Sequence, residues 1–105
     1  MAKRFKDQLP AAGSEAALRR DIEEVRAGQP NYELMSSALA DATRTQLPQI
    51  RQMIAELGVV ESVTFKGVGR GGADIHEVKF EHGSTEWRIT MGSDKMIAGL
   101  LVRRL

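Results

Sequence analysis

Residues 74–91, DIHEVKFEHGSTEWRITM, decide the fold. Apolar and polar side chains alternate on both sides of a single glycine, the period of two half-buried strands. A two-residue turn at His82-Gly83 makes this an antiparallel hairpin, with Gly83 supplying the positive φ of a primed turn. Lys79 then faces Glu86 and Glu77 faces Arg88 on one side, while Val78 faces Trp87 and His76 faces Ile89 on the other. Such cross-strand pairs contribute roughly 0.2–1 kcal/mol each. A slip of one residue would destroy the charge matching and the apolar matching together.

The same period extends outward in both directions. Val63 and Phe65 alternate with Ser62, Thr64 and Lys66, which predicts a strand over about 59–68. Gly67, Gly69, Gly71 and Gly72 link it to the hairpin. A strand rather than a helix follows these glycines, so the helix N-terminus of a phosphate-binding loop is missing and a wide hairpin loop is expected. Downstream, a turn at Gly92-Ser93-Asp94 leads to a last strand over about 96–104. Met96, Ala98, Leu100 and Val102 share one face there, with Ile97 and Leu101 on the other. A strand apolar on both faces is expected to be central, or to meet another subunit.

Upstream of the strands the period is helical. Leu18, Ile22 and Val25 form a narrow stripe, Ser14 stands as N-cap, Gly28 as the residue past the end, and Pro30 forbids continuation. This predicts a helix over about 14–27, with Asp21 among the charged residues of its polar faces. A second stripe, Leu39, Ala42, Leu47, Ile50, Met53, Ile54 and Leu57, keeps its phase across Pro48. One long helix over about 36–57 follows, kinked near 44–48 where the proline removes a hydrogen bond. Residues 1–13 read as a flexible arm and 14–105 as one α+β domain, N-terminal helices on one face of a curved four-stranded antiparallel sheet.

Three stretches carry a resemblance. Gly28-Gln29-Pro30-Asn31-Tyr32-Glu33-Leu34-Met35, Val63 to Val68, and Ala73 to Phe80 running on through Thr85 to Ile89 resemble a small bacterial domain found beside serine hydrolase domains. The order of elements is similar to the NTF2-like superfamily, of cystatin-like fold. The resemblance covers about residues 14–105 and implies an accessory domain whose cone encloses a pocket; the hydrolase itself is absent from this chain. His76 stands where that family usually has an aromatic, and Lys95 where it has Gly.

Composition narrows the function by exclusion. The net charge of +1, with acidic and basic residues mixed along the chain, lacks the basic footprint of a nucleic-acid surface. There is no cysteine, hence no disulfide or thiolate chemistry. No run approaches the roughly 18 apolar residues of a membrane span. The first twenty residues hold no apolar signal core, so the cytoplasm is the default expectation, and export would require a trimmed leader. With two histidines, one of them at the hairpin tip, no metal or cofactor is expected.

The pocket candidates are His76, Asp74, Tyr32 and Trp87. His76 shares the core face with Val78 and Phe80, where a neutral imidazole near Asp74 has the chemistry of a base. Asp74 and Tyr32 parallel the acidic base and phenolic donor of isomerases in this superfamily. Each also has a structural reading: His76 in an aromatic's place, Asp74 as a turn residue, Tyr32 as a packing anchor, and Trp87 as the centre of the sheet's core face. The resulting expectation is a non-catalytic binding or accessory module, self-associating as a homodimer through the sheet. Its expected partners are a small hydrophobic ligand and a separately encoded hydrolase. The alternative is a small pocket enzyme or ligand carrier using His76, Asp74 and Tyr32.

Overall fold

The computed structural model describes residues 13–69, 71–92 and 96–105. The arm, apart from Gly13, and the Ser93-Asp94-Lys95 part of the last turn lie outside these residues. Helix α1, Ser14–Arg26, buries the expected stripe of Leu18, Ile22 and Val25. Its stripe is wider than expected, because Ala17 and Asp21 are buried beside those three. The helix ends as anticipated. Gly28, at φ 76°, donates its N–H to the Val25 carbonyl at 2.9 Å, and Gln29 donates to Glu24 at 2.8 Å. These bonds satisfy two of the carbonyls that a helix end leaves open. Its start differs: Gly13 is the cap, at φ 79°, and Ser14 is the first helical residue. The Ser14 hydroxyl is turned away from the helix end, to 3.4 Å from His76 Nε2.

A 3₁₀ turn, Tyr32–Leu34, leads into helix α2, Ser37–Leu57. The Ser36 hydroxyl caps it, accepting from the Leu39 N–H at 3.2 Å. α2 is helical throughout, Pro48 included. Pro48 lies on the exposed side, where water can take the carbonyl that the proline leaves unpaired. Leu39, Ala40, Ile54 and Leu57 are buried on the opposite side.

The sheet is an antiparallel meander in the order β1 (Val60–Val68), β2 (Asp74–Phe80), β3 (Gly83–Met91) and β4 (Ile97–Arg104). Both helices pack on one face, giving the α+β layout, and the sheet stays open. Val78, Phe80, Trp87, Ile89 and Ile97 form the sheet's share of the core. The other face is polar: Glu86 bonds Arg88 at 3.3 Å and Arg103 at 3.2 Å, and Glu77 lies 3.9 Å from Lys66.

The hairpin exists, but its register differs from the expected one. The two turn residues are Glu81-His82, and Phe80 faces Gly83. Each β2 residue therefore meets a β3 residue two positions earlier: His76 faces Trp87, Val78 faces Thr85, Lys79 faces Ser84, and Glu77 faces Glu86. The anticipated pairs of Lys79 with Glu86 and Glu77 with Arg88 are not formed across the hairpin. Helix α2 explains the choice. With the turn at Glu81-His82, His82 donates its N–H to the open Leu57 carbonyl at 2.9 Å, and Glu81 donates to Val59 at 3.0 Å. The Glu81 carboxylate also accepts from the Val59 N–H at 3.2 Å. Gly83 is needed for closeness rather than for the turn, since a Cβ there would meet Leu57 Cδ2 at 2.8 Å.

β4 also departs from expectation. It is an edge strand, and a register shift places Thr90 opposite Gly99 but Met91 opposite Ile97. The extra residue, Ala98, is exposed, and the shift turns Ile97 inward to 1% exposure alongside Leu100 and Val102. One strand thus serves the core with residues of both parities. Within β4, Leu101 keeps its large apolar side chain outside, 71% exposed.

Candidate functional site

Among the described residues, two buried titratable side chains each keep an atom without a hydrogen bond: Asp21 Oδ1 and His76 Nδ1. They lie in different surroundings. Asp21 borders a cleft of about 170 Å³ between the helices and the β3–β4 side of the sheet. α1 contributes Asp21 and Val25, α2 contributes Leu39, Ala42, Thr43, Gln46 and Ile50, and the sheet closes it with Trp87, Leu100, Leu101 and Val102. The lining is mainly apolar, with one carboxyl, one hydroxyl and one amide. That composition suits a small-molecule site, in which a few polar groups orient an otherwise apolar ligand.

Asp21 is 2% exposed, and burial pushes its carboxyl up from 3.8 to about 6. Glu24 on the same helix adds to the rise and Arg20 opposes it. Arg20 also pairs with Glu24, at 3.8 Å. Trp87 lines the cleft, and its polar edge is tied down. The indole N–H donates to Thr85 Oγ1 at 2.6 Å, and that hydroxyl donates to the Val78 carbonyl at 3.3 Å.

His76 is 1% exposed, and its ring lies 5.6 Å from that of Phe65 on β1. Burial holds its pKa below the usual value, against the opposing fields of Asp74 and Glu15, so the imidazole is neutral at neutral pH. Ser14 Oγ and His76 Nε2 stand 3.4 Å apart. Asp74 does not complete a catalytic triad with them, because His76 Nδ1 accepts and donates nothing. Asp74 is buried two positions from His76 on β2, opposite Val68 and Ile89. Tyr32 sits on the connection between the helices, with the Arg44 guanidinium 4.3 Å over its ring. Of the four expected pocket residues, Trp87 lines the Asp21 cleft and His76, Asp74 and Tyr32 do not.

Asp21 itself was legible only in part. It stands four residues after Ala17 and four before Val25, a spacing that places it on the buried stripe. A charged residue there reads as solvated until the width of the stripe is known.

The remaining surface offers less chemistry. A shallow depression of about 340 Å³ on the outer sheet face is lined by Glu86, Arg88, Leu101, Val102 and Arg103, whose charges already pair with each other. Among the described residues no group of three or more His, Cys, Asp or Glu side chains is placed to hold a metal ion. No helix among them is long and apolar enough to cross a membrane. No family model, curated protein or solved structure matches this chain.

Proposed function

We propose that this chain is a non-catalytic binding or accessory module of NTF2-like arrangement, which takes a small, mainly apolar ligand in the Asp21–Trp87 cleft. The cleft carries this reading: an apolar space walled by both helices and the sheet, with a few convergent polar groups. Its volume is close to that of an engineered protein cavity of about 150 Å³ that accepts benzene. Helices followed by an antiparallel meander support the NTF2-like assignment, together with the three stretches quoted above. Toluene is a suitable probe, because the chain has a single tryptophan and that residue lines the cleft. A saturable change in Trp87 fluorescence with a raised unfolding temperature is expected, and Ala42→Phe at the exposed rim should abolish both. A linear, non-saturating response up to the solubility limit of toluene would rule the reading out.

Self-association through the sheet belongs to the same proposal, and the exposed Leu101 on edge strand β4 supports it. A monomeric mass by light scattering at micromolar concentration would exclude it. A separately encoded hydrolase is the partner that the family resemblance carries, testable by pull-down. The competing reading is an enzyme built on His76, Asp74 and Tyr32. The field of Asp74 on His76 favours it, whereas the burial of His76 argues against access by a substrate.

A further inference from the structure

We propose that the cleft beside Asp21 selects a small organic cation: a primary ammonium group carried on an apolar body of roughly benzene size. This inference rests on the cleft being a ligand site and adds the chemical class of the ligand.

Three features of the cleft converge on a cation. First, Asp21 is among the residues lining the cleft, it is only 2% exposed, and its buried Oδ1 has no hydrogen-bond donor. A buried carboxylate oxygen lacking a donor is costly, and a ligand ammonium bringing three donors removes that cost. Second, Trp87 is among the residues lining the same space, and the face of an indole attracts a cation. Its N–H is committed to Thr85, so the ring's polar edge is unavailable to an anionic ligand. Third, no positively charged residue lines the cleft. An anion would meet Asp21 with nothing to offset the repulsion, whereas a cation finds a counter-charge already in place. Thr43 and Gln46, on the α2 wall, complete the set of polar groups able to hold the remaining ammonium protons.

The charge state agrees with this selection. With its pKa near 6, the Asp21 carboxyl is largely ionised at pH 7.5 and largely protonated at pH 5. The charged groups acting on it, Glu24 and Arg20, are on its own helix. From α2 the cleft is faced by Thr43 and Gln46, and from the sheet by Trp87, Leu100, Leu101 and Val102, none of which titrates in this range. Ammonium binding therefore weakens as pH falls below 6, by about tenfold per pH unit, because one proton must leave the carboxyl for the pair to form.

The test is a titration of the full chain with benzylammonium, toluene and benzoate at pH 7.5, read by the fluorescence of Trp87. Benzylammonium is expected to bind at least about tenfold more tightly than toluene, and benzoate more weakly than either. In Asp21→Asn the ammonium advantage over toluene should vanish. Equal affinity for benzylammonium and toluene in the unmodified chain would overturn the cation inference and leave the apolar cleft reading standing. An ammonium preference that survives Asp21→Asn would overturn it as well. Absence of saturable binding by all three probes would remove both readings together.

Discussion

The surroundings of Asp21 and of His76 make an instructive pair. Both side chains are almost wholly buried, and each keeps one polar atom without a hydrogen bond. Burial moves both pKa values toward the neutral form, so the carboxyl rises and the imidazole falls. The consequences at neutral pH are opposite. His76 becomes an uncharged ring packed against that of Phe65. Asp21, raised only to about 6, keeps its charge beside an apolar cleft. The same desolvation therefore leaves one residue uncharged and the other a charge in want of a partner.

Their effects on stability also run in opposite directions with pH. As pH falls below 6.5 the unfolded chain protonates His76 before the folded chain does, so stability is lost as the folded imidazole resists its proton. Asp21 behaves the other way. Its folded carboxyl takes a proton near pH 6 and the unfolded one near 3.8, so stability is gained as pH falls between these values and is lost as pH rises through 6.

Trp87→Ala strikes both surroundings at once, since Trp87 faces His76 across the hairpin and lines the Asp21 cleft. It should cost about 3–5 kcal/mol in urea denaturation. A loss below about 1 kcal/mol would show that the two sites do not share one packed core. Asp21→Asn comes next and has the opposite sign. Relieving a carboxyl raised from 3.8 to about 6 should stabilise the fold by about 2–3 kcal/mol at pH 7.5 and by little at pH 4. Equal gains at the two pH values would mean that charge burial is not the cause. His76→Phe should change stability at pH 7.5 by about 1 kcal/mol or less, as an aromatic of similar shape replaces a neutral imidazole. Its informative readout is the slope: the variant should lose less stability than the unmodified chain between pH 6.5 and 5, and an unchanged slope would clear His76 of the effect. Leu101→Ser, at the cleft rim, should stay within about 0.5 kcal/mol because the side chain is already 71% exposed. A larger loss would indicate that something covers it.

Much of the architecture was legible from periodicity and punctuation. The stripe that keeps its phase across Pro48 anticipated an uninterrupted α2, and Gly28 with Pro30 marked the end of α1. The alternation in residues 74–91 assigned the right side chains to each face of the hairpin. It could not place the turn. Moving every partner by two residues leaves both faces unchanged, so alternation permits either register, and charge matching favoured the one that is not formed. The Leu57 carbonyl and the Gly83–Leu57 approach made the choice. Ser14 reads as a cap by residue type, yet its hydroxyl is turned to His76, sixty-two residues away in the chain. β4 looked apolar on both faces because the bulge at Ala98 is not marked by any local signal.

The candidate site divides in the same way. Sequence alone determined that the fold is α+β, that Trp87 and His76 share the inner face, and that the outer face is charged. Those properties follow from the period of side chains along a single element, which is local. Only the tertiary structure decided that Asp21, rather than His76, borders a cleft. The buried width of α1 depends on the surfaces laid against it by α2 and by β3–β4, and no helix specifies by itself how far its neighbours will cover it.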